Sequence, residues 1–367
     1  MKKYLVFFFL LPLTTAVLSQ ERAAVPLPKV EINGSHYTKL QSSIVNQEYV
    51  LQVFLPSGYP KSNKQYPVMY LMDSQWDFQL LASLYGEQYY DGFIPELIVV
   101  GVTWGGINPN PDSLRARDYT PTKEARLPQS GGAANFLSFM KKELFPYIES
   151  HYRADPAERG LMGCSLGGLF TLYALFSEPG LFKRYVAASP AFGWDREVIY
   201  RYEKAYLDQQ PTAPARLYMS MGGVERGVPG FERLDNALKR RNYPNLQIKT
   251  RILDNTGHSG TKAEGYARGL QYVFERPNIQ VDAAMLNELA GKYQFPNGGI
   301  IELKTEGTGL ALYLGPNNKY NLLAASATEW YANSEFLNIQ MEKKDGRISG
   351  FTLSRYGNDQ FVKRLDR

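Results

Sequence analysis

Between about residues 45 and 275, short apolar runs recur at 49–55, 67–72, 97–104, 160–164, 185–188, 217–221 and 248–253, separated by stretches of helical periodicity. Alternation of this kind predicts an α/β class protein, a mostly parallel sheet flanked by helices. Residues 133–150 bring Phe136, Met140 and Leu144 to one face, and 229–241 bring Leu234 and Leu238 together, so both stretches predict helices packed on the sheet. Pro67 has no N–H to give to a ladder and belongs at the start of its strand.

The pattern changes after Pro277. Short alternating runs at 300–303, 310–314, 337–341 and 348–353 are separated by Gly-, Asn- and Thr-rich turns, with Asp345-Gly346 as a hairpin turn. They predict a small all-β domain over 287–367, joined by a short helix at 281–290 to a larger domain over 20–277. A length of 367 residues suits two domains.

The chain opens differently again. Met1-Lys2-Lys3 is followed by an apolar run at 4–13, the length of a signal-peptide core and half that of a membrane span. Phe7-Phe8-Phe9 shows no polar face, which argues against a buried amphipathic helix. The expectation is a cleavable export signal over 1–19, removed after Ser19, and a periplasmic or secreted protein. No cysteine lies nearby to take a lipid, so no stable membrane anchor is expected.

Composition narrows the possible chemistry. With 44% hydrophobic and 21% charged residues the chain can bury a core, which sets disorder aside. The surplus of +5 is not gathered into a basic block, so nucleic acid is not an expected partner. One cysteine, Cys164, rules out an internal disulfide, and three histidines without an HExxH pair point away from a catalytic metal. No cofactor is expected.

Gly163-Cys164-Ser165-Leu166-Gly167 fits G-x-S-x-G, between a predicted strand at 160–164 and a predicted helix at 168–176. A serine on such a tight turn is presented as a nucleophile, and the N–H of Leu166 at the helix start would face a developing oxyanion. A general base must follow it in the chain, and His258 alone does; His36 and His151 are expected to be surface or packing residues. Nine carboxylates lie between Ser165 and the end of the 248–253 run with its next residue. Of these, Glu225 stands in a strand-end loop on the edge expected to carry Ser165 and His258, and Asp254 is the alternative. A second oxyanion donor is expected from 73–76, as the backbone N–H of Gln75; the other reading is a plain turn with Asp73 as helix N-cap. Trp76, Phe192 and Trp194 could stack on an aromatic acyl group and Arg115 or Arg117 could pair with an anionic one, against the alternatives of core packing and a bracing Arg117-Asp118 pair.

Several segments together resemble the putative-esterase (esterase D-like) group of α/β-hydrolases over about 47–275: Tyr66-Pro-Val-Met-Tyr-Leu-Met-Asp73, Arg115-Ala-Arg-Asp-Tyr-Thr-Pro121, 136–148, Gly163-Cys-Ser-Leu-Gly-Gly-Leu-Phe170 and Ser189-Pro-Ala-Phe-Gly-Trp194. The second and last look most like the siderophore-esterase branch. The resemblance implies an α/β-hydrolase fold with Ser165 as nucleophile, Glu225 as acid and His258 as base, and with Arg117 and Trp194 lining or bracing the pocket. The chain departs from that pattern at Cys164, where histidine is common, and at Ser74, where glycine is usual; the second puts the Gln75 donor in question. Residues 289–293 through 361–364 resemble the lipocalin-like β-domain of some secreted hydrolases, which could cap the site, bind a ligand or support the larger domain. The implied activity is metal-independent hydrolysis, through an acyl-enzyme, of a small-molecule or carbohydrate-linked ester of siderophore-lactone or feruloyl type. An acyltransferase with the same triad and a non-catalytic ligand-binding protein are the alternatives.

Overall fold

The computed structural model describes residues 31–356 and 358–365, so the export segment expected at 1–19 lies outside the described residues. Eight strands form the first sheet: β1 (Ser35–Ser42), β2 (Gln47–Phe54), β3 (Tyr66–Leu71), β4 (Ile98–Trp104), β5 (Ala154–Cys164), β6 (Arg184–Ala188), β7 (Ala215–Gly222) and β8 (Leu246–Leu253). Their order is β1-β2-β4-β3-β5-β6-β7-β8. β2 is antiparallel to both neighbours, and every pair from β4 to β8 is parallel. This is the α/β-hydrolase arrangement. Pro67 sits where the register between β3 and β5 shifts, so no ladder bond is asked of it.

The helices are α1 (Ser74–Tyr90), α2 (Pro111–Tyr119), α3 (Ala133–Phe139), α4 (Phe145–His151), α5 (Leu166–Ser177), α6 (Ile199–Gln209), α7 (Val228–Arg241), α8 (Thr261–Val273) and α9 (Ala283–Leu289). Alternate residues of β3 enter two different cores. Tyr66, Val68 and Tyr70 pack with Tyr119, Phe136, Phe170 and Leu234, while Met69 and Leu71 pack with Phe78 and Leu81 of α1 and Tyr266 and Leu270 of α8. Burial of both faces explains why the central strands are continuous apolar runs rather than alternating ones. The helix expected at 133–150 is present with one change: a π-helical turn, Met140–Leu144, separates α3 from α4. Pro146, two residues beyond it, cannot donate to the preceding turn, and the N–H of Phe145 bonds the carbonyl of Met140.

The C-terminal strands β9 (Gly291–Gln294), β10 (Ile300–Glu306), β11 (Gly309–Tyr313), β12 (Lys319–Ala324), β13 (Glu329–Ala332), β14 (Leu337–Lys344), β15 (Arg347–Arg355) and β16 (Asn358–Arg364) close into an antiparallel barrel. Its interior is filled by its own side chains, among them Leu303, Leu312, Trp330, Ile339 and Phe351. Asp345 and Gly346 both have positive φ, 51° and 78°, as a two-residue hairpin turn requires. The turn between β13 and β14 meets the C-terminal end of α1: Phe336 N–H donates to Tyr90 O at 3.1 Å, and the rings of Tyr89 and Phe336 are 4.6 Å apart. Tyr66, Pro67, Arg184 and Arg216, at the starts of their strands, share a cleft of about 600 Å³ with Glu329, Phe336 and Asn338 of the barrel. The barrel therefore docks at the end of the sheet opposite to the one where the parallel strands finish.

Candidate active site

The parallel strands finish at one edge, where β3, β5, β6, β7 and β8 run into the loops carrying Asp73, Ser165, Ser189, Glu225 and His258. Ser165 joins β5 to α5 at φ 59° and ψ −119°, a conformation that non-glycine residues seldom hold. The turn closes because two neighbours lack side chains. A Cβ on Gly163 would lie 2.5 Å from the carbonyl carbon of Gly167, and one on Gly167 would lie 3.1 Å from Met72 Cβ and 3.3 Å from Asp73 Oδ2. The same closeness brings the end of β3 against the first turn of α5. The backbone of Ser165 is held on both sides: its N–H donates to Ala188 O at 3.0 Å and its carbonyl accepts from Ala191 N–H at 3.0 Å.

Glu225 and His258 meet directly, with 2.5 Å between Glu225 Oε2 and His258 Nδ1. With the carboxyl ionised, Nδ1 carries the proton and Nε2 is left with a lone pair. The other carboxylate oxygen, Oε1, accepts from Ser189 Oγ at 2.5 Å, Gly222 N–H at 2.8 Å and Thr261 Oγ1 at 3.3 Å. Burial pushes the Glu225 carboxyl up, but the hydrogen bonds from Ser189, His258 and Gly222 outweigh it and hold it below the ordinary carboxylate value. Asp254, the alternative acid, is exposed on the loop beyond β8. The His258 side chain is 51% exposed, and no hydrogen bond joins it to the Ser165 hydroxyl among the described residues. In enzymes without substrate, hydrogen bonds between a nucleophile and its base are often long or absent.

The N–H groups of Leu166 and Gln75 fall in the first turns of α5 and α1, where no helix carbonyl is available to them. Asp73 stands at the N-cap of α1 with φ 55°, yet its side chain caps nothing; it takes a bidentate pair of hydrogen bonds from Arg115 at 3.0 and 2.8 Å. Ser74, where glycine is usual, is buried against β4, at a spot where Gly101 leaves room for its Cβ. The guanidinium of Arg115 also lies 5.6 Å from the ring of Trp76, which is 51% exposed.

The other expected binding residues are engaged within the fold. Arg117 pairs with Asp118, whose Oδ2 also accepts from Tyr49 and Trp104, so its guanidinium braces a buried carboxylate. Trp194 donates its indole N–H to Thr122 O at 3.1 Å, and Phe192 is buried against Phe231. Cys164 is buried, and that burial pushes its thiol up to about 12, which keeps it inert beside Ser165. His36 bonds Tyr152, and His151 stacks on Tyr147.

Two groups were not singled out from sequence. Ser189 opens the Ser-Pro-Ala-Phe-Gly-Trp segment, and only that segment hinted at it. Asp77, in the first turn of α1, takes an ion pair from Lys262 at 2.6 Å and a hydrogen bond from Tyr266 Oη at 2.8 Å, tying α1 to α8, the helix after the His258 loop.

Residues 42–265 match the model of a family described as putative esterase. The ferri-bacillibactin esterase BesA of Bacillus subtilis is 30% identical over 211 residues, 53% of this chain and 72% of that protein. Among solved structures, the BES protein of Bacillus cereus superposes with a TM-score of 0.63 at 25% identity, covering 68% of this chain and 98% of its own. An IroE-like serine hydrolase from Shewanella oneidensis gives 0.58 at 26% identity, covering 66% of this chain and 80% of its own.

Proposed function

The chain belongs to the putative esterase family and is a carboxylic ester hydrolase, and from that premise we propose that it acts through an acyl-enzyme on Ser165, with His258 as general base and Glu225 as the acid that orients it. The observation that carries this reading is the Glu225–His258 hydrogen bond, on loops that finish at the same sheet edge as the strained turn of Ser165. In this scheme His258 Nε2 takes the hydroxyl proton as Ser165 Oγ attacks the ester carbonyl carbon. The N–H groups of Leu166 and Gln75 hold the oxyanion, and the imidazolium returns its proton to the departing alkoxide. Water, deprotonated by His258, then attacks the acyl carbonyl, and collapse frees the carboxylic acid and Ser165.

The substrate class proposed is a small-molecule siderophore-lactone or aromatic, feruloyl-type ester. The name of the Bacillus subtilis relative supports the first. The exposed Trp76 supports an aromatic acyl group, whereas the guanidinium of Arg115 is paired with Asp73 and the polar groups of Arg117 and Trp194 are engaged within the fold. Action outside the cytoplasm, after removal of 1–19, completes the proposal. No helix among the described residues is long and apolar enough to cross a membrane.

Hydrolysis of chromogenic short-chain aryl esters by the mature protein, with Ser165→Ala in parallel, tests the reading. Turnover that disappears in the variant supports it. An inactive parent protein, with ester retained unchanged by both, would favour a binding protein, and transfer of the acyl group to an added alcohol in preference to water would favour an acyltransferase.

A further inference from the structure

Ser189 follows β6 and is fully buried, with φ 39°, a strained value for a residue bearing a Cβ. Its backbone N–H donates to Ser220 O at 2.8 Å, which fixes the turn against β7. Residues of the same turn hold the nucleophile: Ala188 O, just before Ser189, accepts from Ser165 N–H, and Ala191 N–H, two residues after it, donates to Ser165 O. The side chain of the same turn points the other way, donating from Oγ to Glu225 Oε1 at 2.5 Å. One short loop thus grips the backbone of Ser165 and the carboxylate of Glu225 together.

We infer that Ser189 is a positioning residue of the site: its hydroxyl fixes the rotation of the Glu225 carboxylate so that Oε2 is left for His258, and its loop sets the distance between nucleophile and acid. This rests on the triad reading proposed above. Three donors converge on Oε1. The Gly222 N–H belongs to the start of the same loop as Glu225, and Thr261 Oγ1 is longer and also bonds Gly257 O at 3.1 Å. Ser189 is the short contact arriving from a separate strand, and so the one that references Glu225 to Ser165. A charge-assisted bond of this kind is among the stronger ones a neutral side chain can make.

The test compares Ser189→Ala, Ser189→Gly, Glu225→Gln, Glu225→Ala and the double variant Ser189→Ala with Glu225→Ala in the full mature protein, with steady-state kinetics against pH. Glycine accepts the positive φ without strain, so that variant keeps the turn while removing the hydroxyl. The expected result is a kcat reduced about 10- to 100-fold in both Ser189 variants, the scale of one charge-assisted hydrogen bond, with KM little changed. The acid limb of the kcat/KM profile should also move to higher pH, because Glu225 then takes a proton more readily. In a Glu225→Ala background, loss of Ser189 should cost nothing further. Parental kcat and profile in both Ser189 variants, with Glu225→Gln impaired, would overturn the inference and leave the triad standing. An equal loss with or without Glu225, and an unmoved acid limb, would reduce Ser189 to a structural residue. Full activity of Glu225→Gln would remove the triad reading itself.

Discussion

Glu225 faces His258 with one carboxylate oxygen and the fold with the other: Oε2 lies 2.5 Å from Nδ1, while Oε1 takes Ser189, Gly222 and Thr261. A carboxylate held at both ends fixes the imidazole tautomer as well as its direction. Ser165→Ala and His258→Ala should therefore each lower kcat by about 10⁶ and Glu225→Gln by about 10⁴, the scale seen when members of such units are removed. Purified variants assayed on one aryl ester, with circular dichroism to confirm folding, check this.

The same hydrogen bonds set an acid limit on stability. Burial raises the Glu225 carboxyl, and the bonds from Ser189, His258 and Gly222 more than offset it, holding the value below the ordinary 4.5. The folded protein then binds this proton less readily than the unfolded chain. The stabilisation is present above the ordinary value and is lost as pH falls through the depressed one. Urea midpoints measured downward from neutral pH should fall below about pH 4.5, and less steeply in Glu225→Gln. An identical slope in the variant would place the acid sensitivity elsewhere.

Asp77 and Lys262 join the first turns of α1 and α8, with the Asp77 side chain 2% exposed. Removing one partner leaves a buried charge without its counterion. Lys262→Met should destabilise the protein by about 3 kcal/mol, the lower end for a broken buried pair, and the apolar double variant Asp77→Leu with Lys262→Met should recover part of it. Denaturant unfolding of the three variants measures both numbers.

Gly92 has φ +78°, and a Cβ there would approach Glu335 O of the barrel to 2.6 Å. Gly92→Ala should cost about 1–3 kcal/mol through backbone strain and the clash. Because this contact lies at the opposite end of the sheet from Ser165, kcat at 25 °C should stay at the parental value. Thermal unfolding alongside ester hydrolysis separates the two effects, and a large loss of kcat would show that barrel docking reaches the site.

The central strands were legible because both of their faces are buried, which leaves apolar runs that no exposed strand would show. β1 was not: half of its residues are exposed and only Ser42 is buried, so its pattern is mixed. β16 was missed for the same reason. The π-turn at Met140–Leu144 keeps the apolar face of its helix and shows only in the backbone, although Pro146 hinted at it. Ser165 stood out through its glycines and His258 through the scarcity of histidine. Ser189 did not, because its part depends on a positive φ that aims Oγ at a residue 36 positions away. Asp77 and Lys262 are 185 residues apart and read singly as ordinary polar residues in helix first turns.

The most direct measurement is site-mapped labelling of the protein, prepared without residues 1–19, with a fluorophosphonate, a reagent that bonds to an activated serine Oγ. The expected result is one adduct per chain on the peptide holding Ser165, lost in Ser165→Ala and strongly slowed in His258→Ala and Glu225→Gln. An adduct on another serine, or labelling of Ser165 at the parental rate without His258, would contradict the assignment of Ser165, His258 and Glu225 as one catalytic unit.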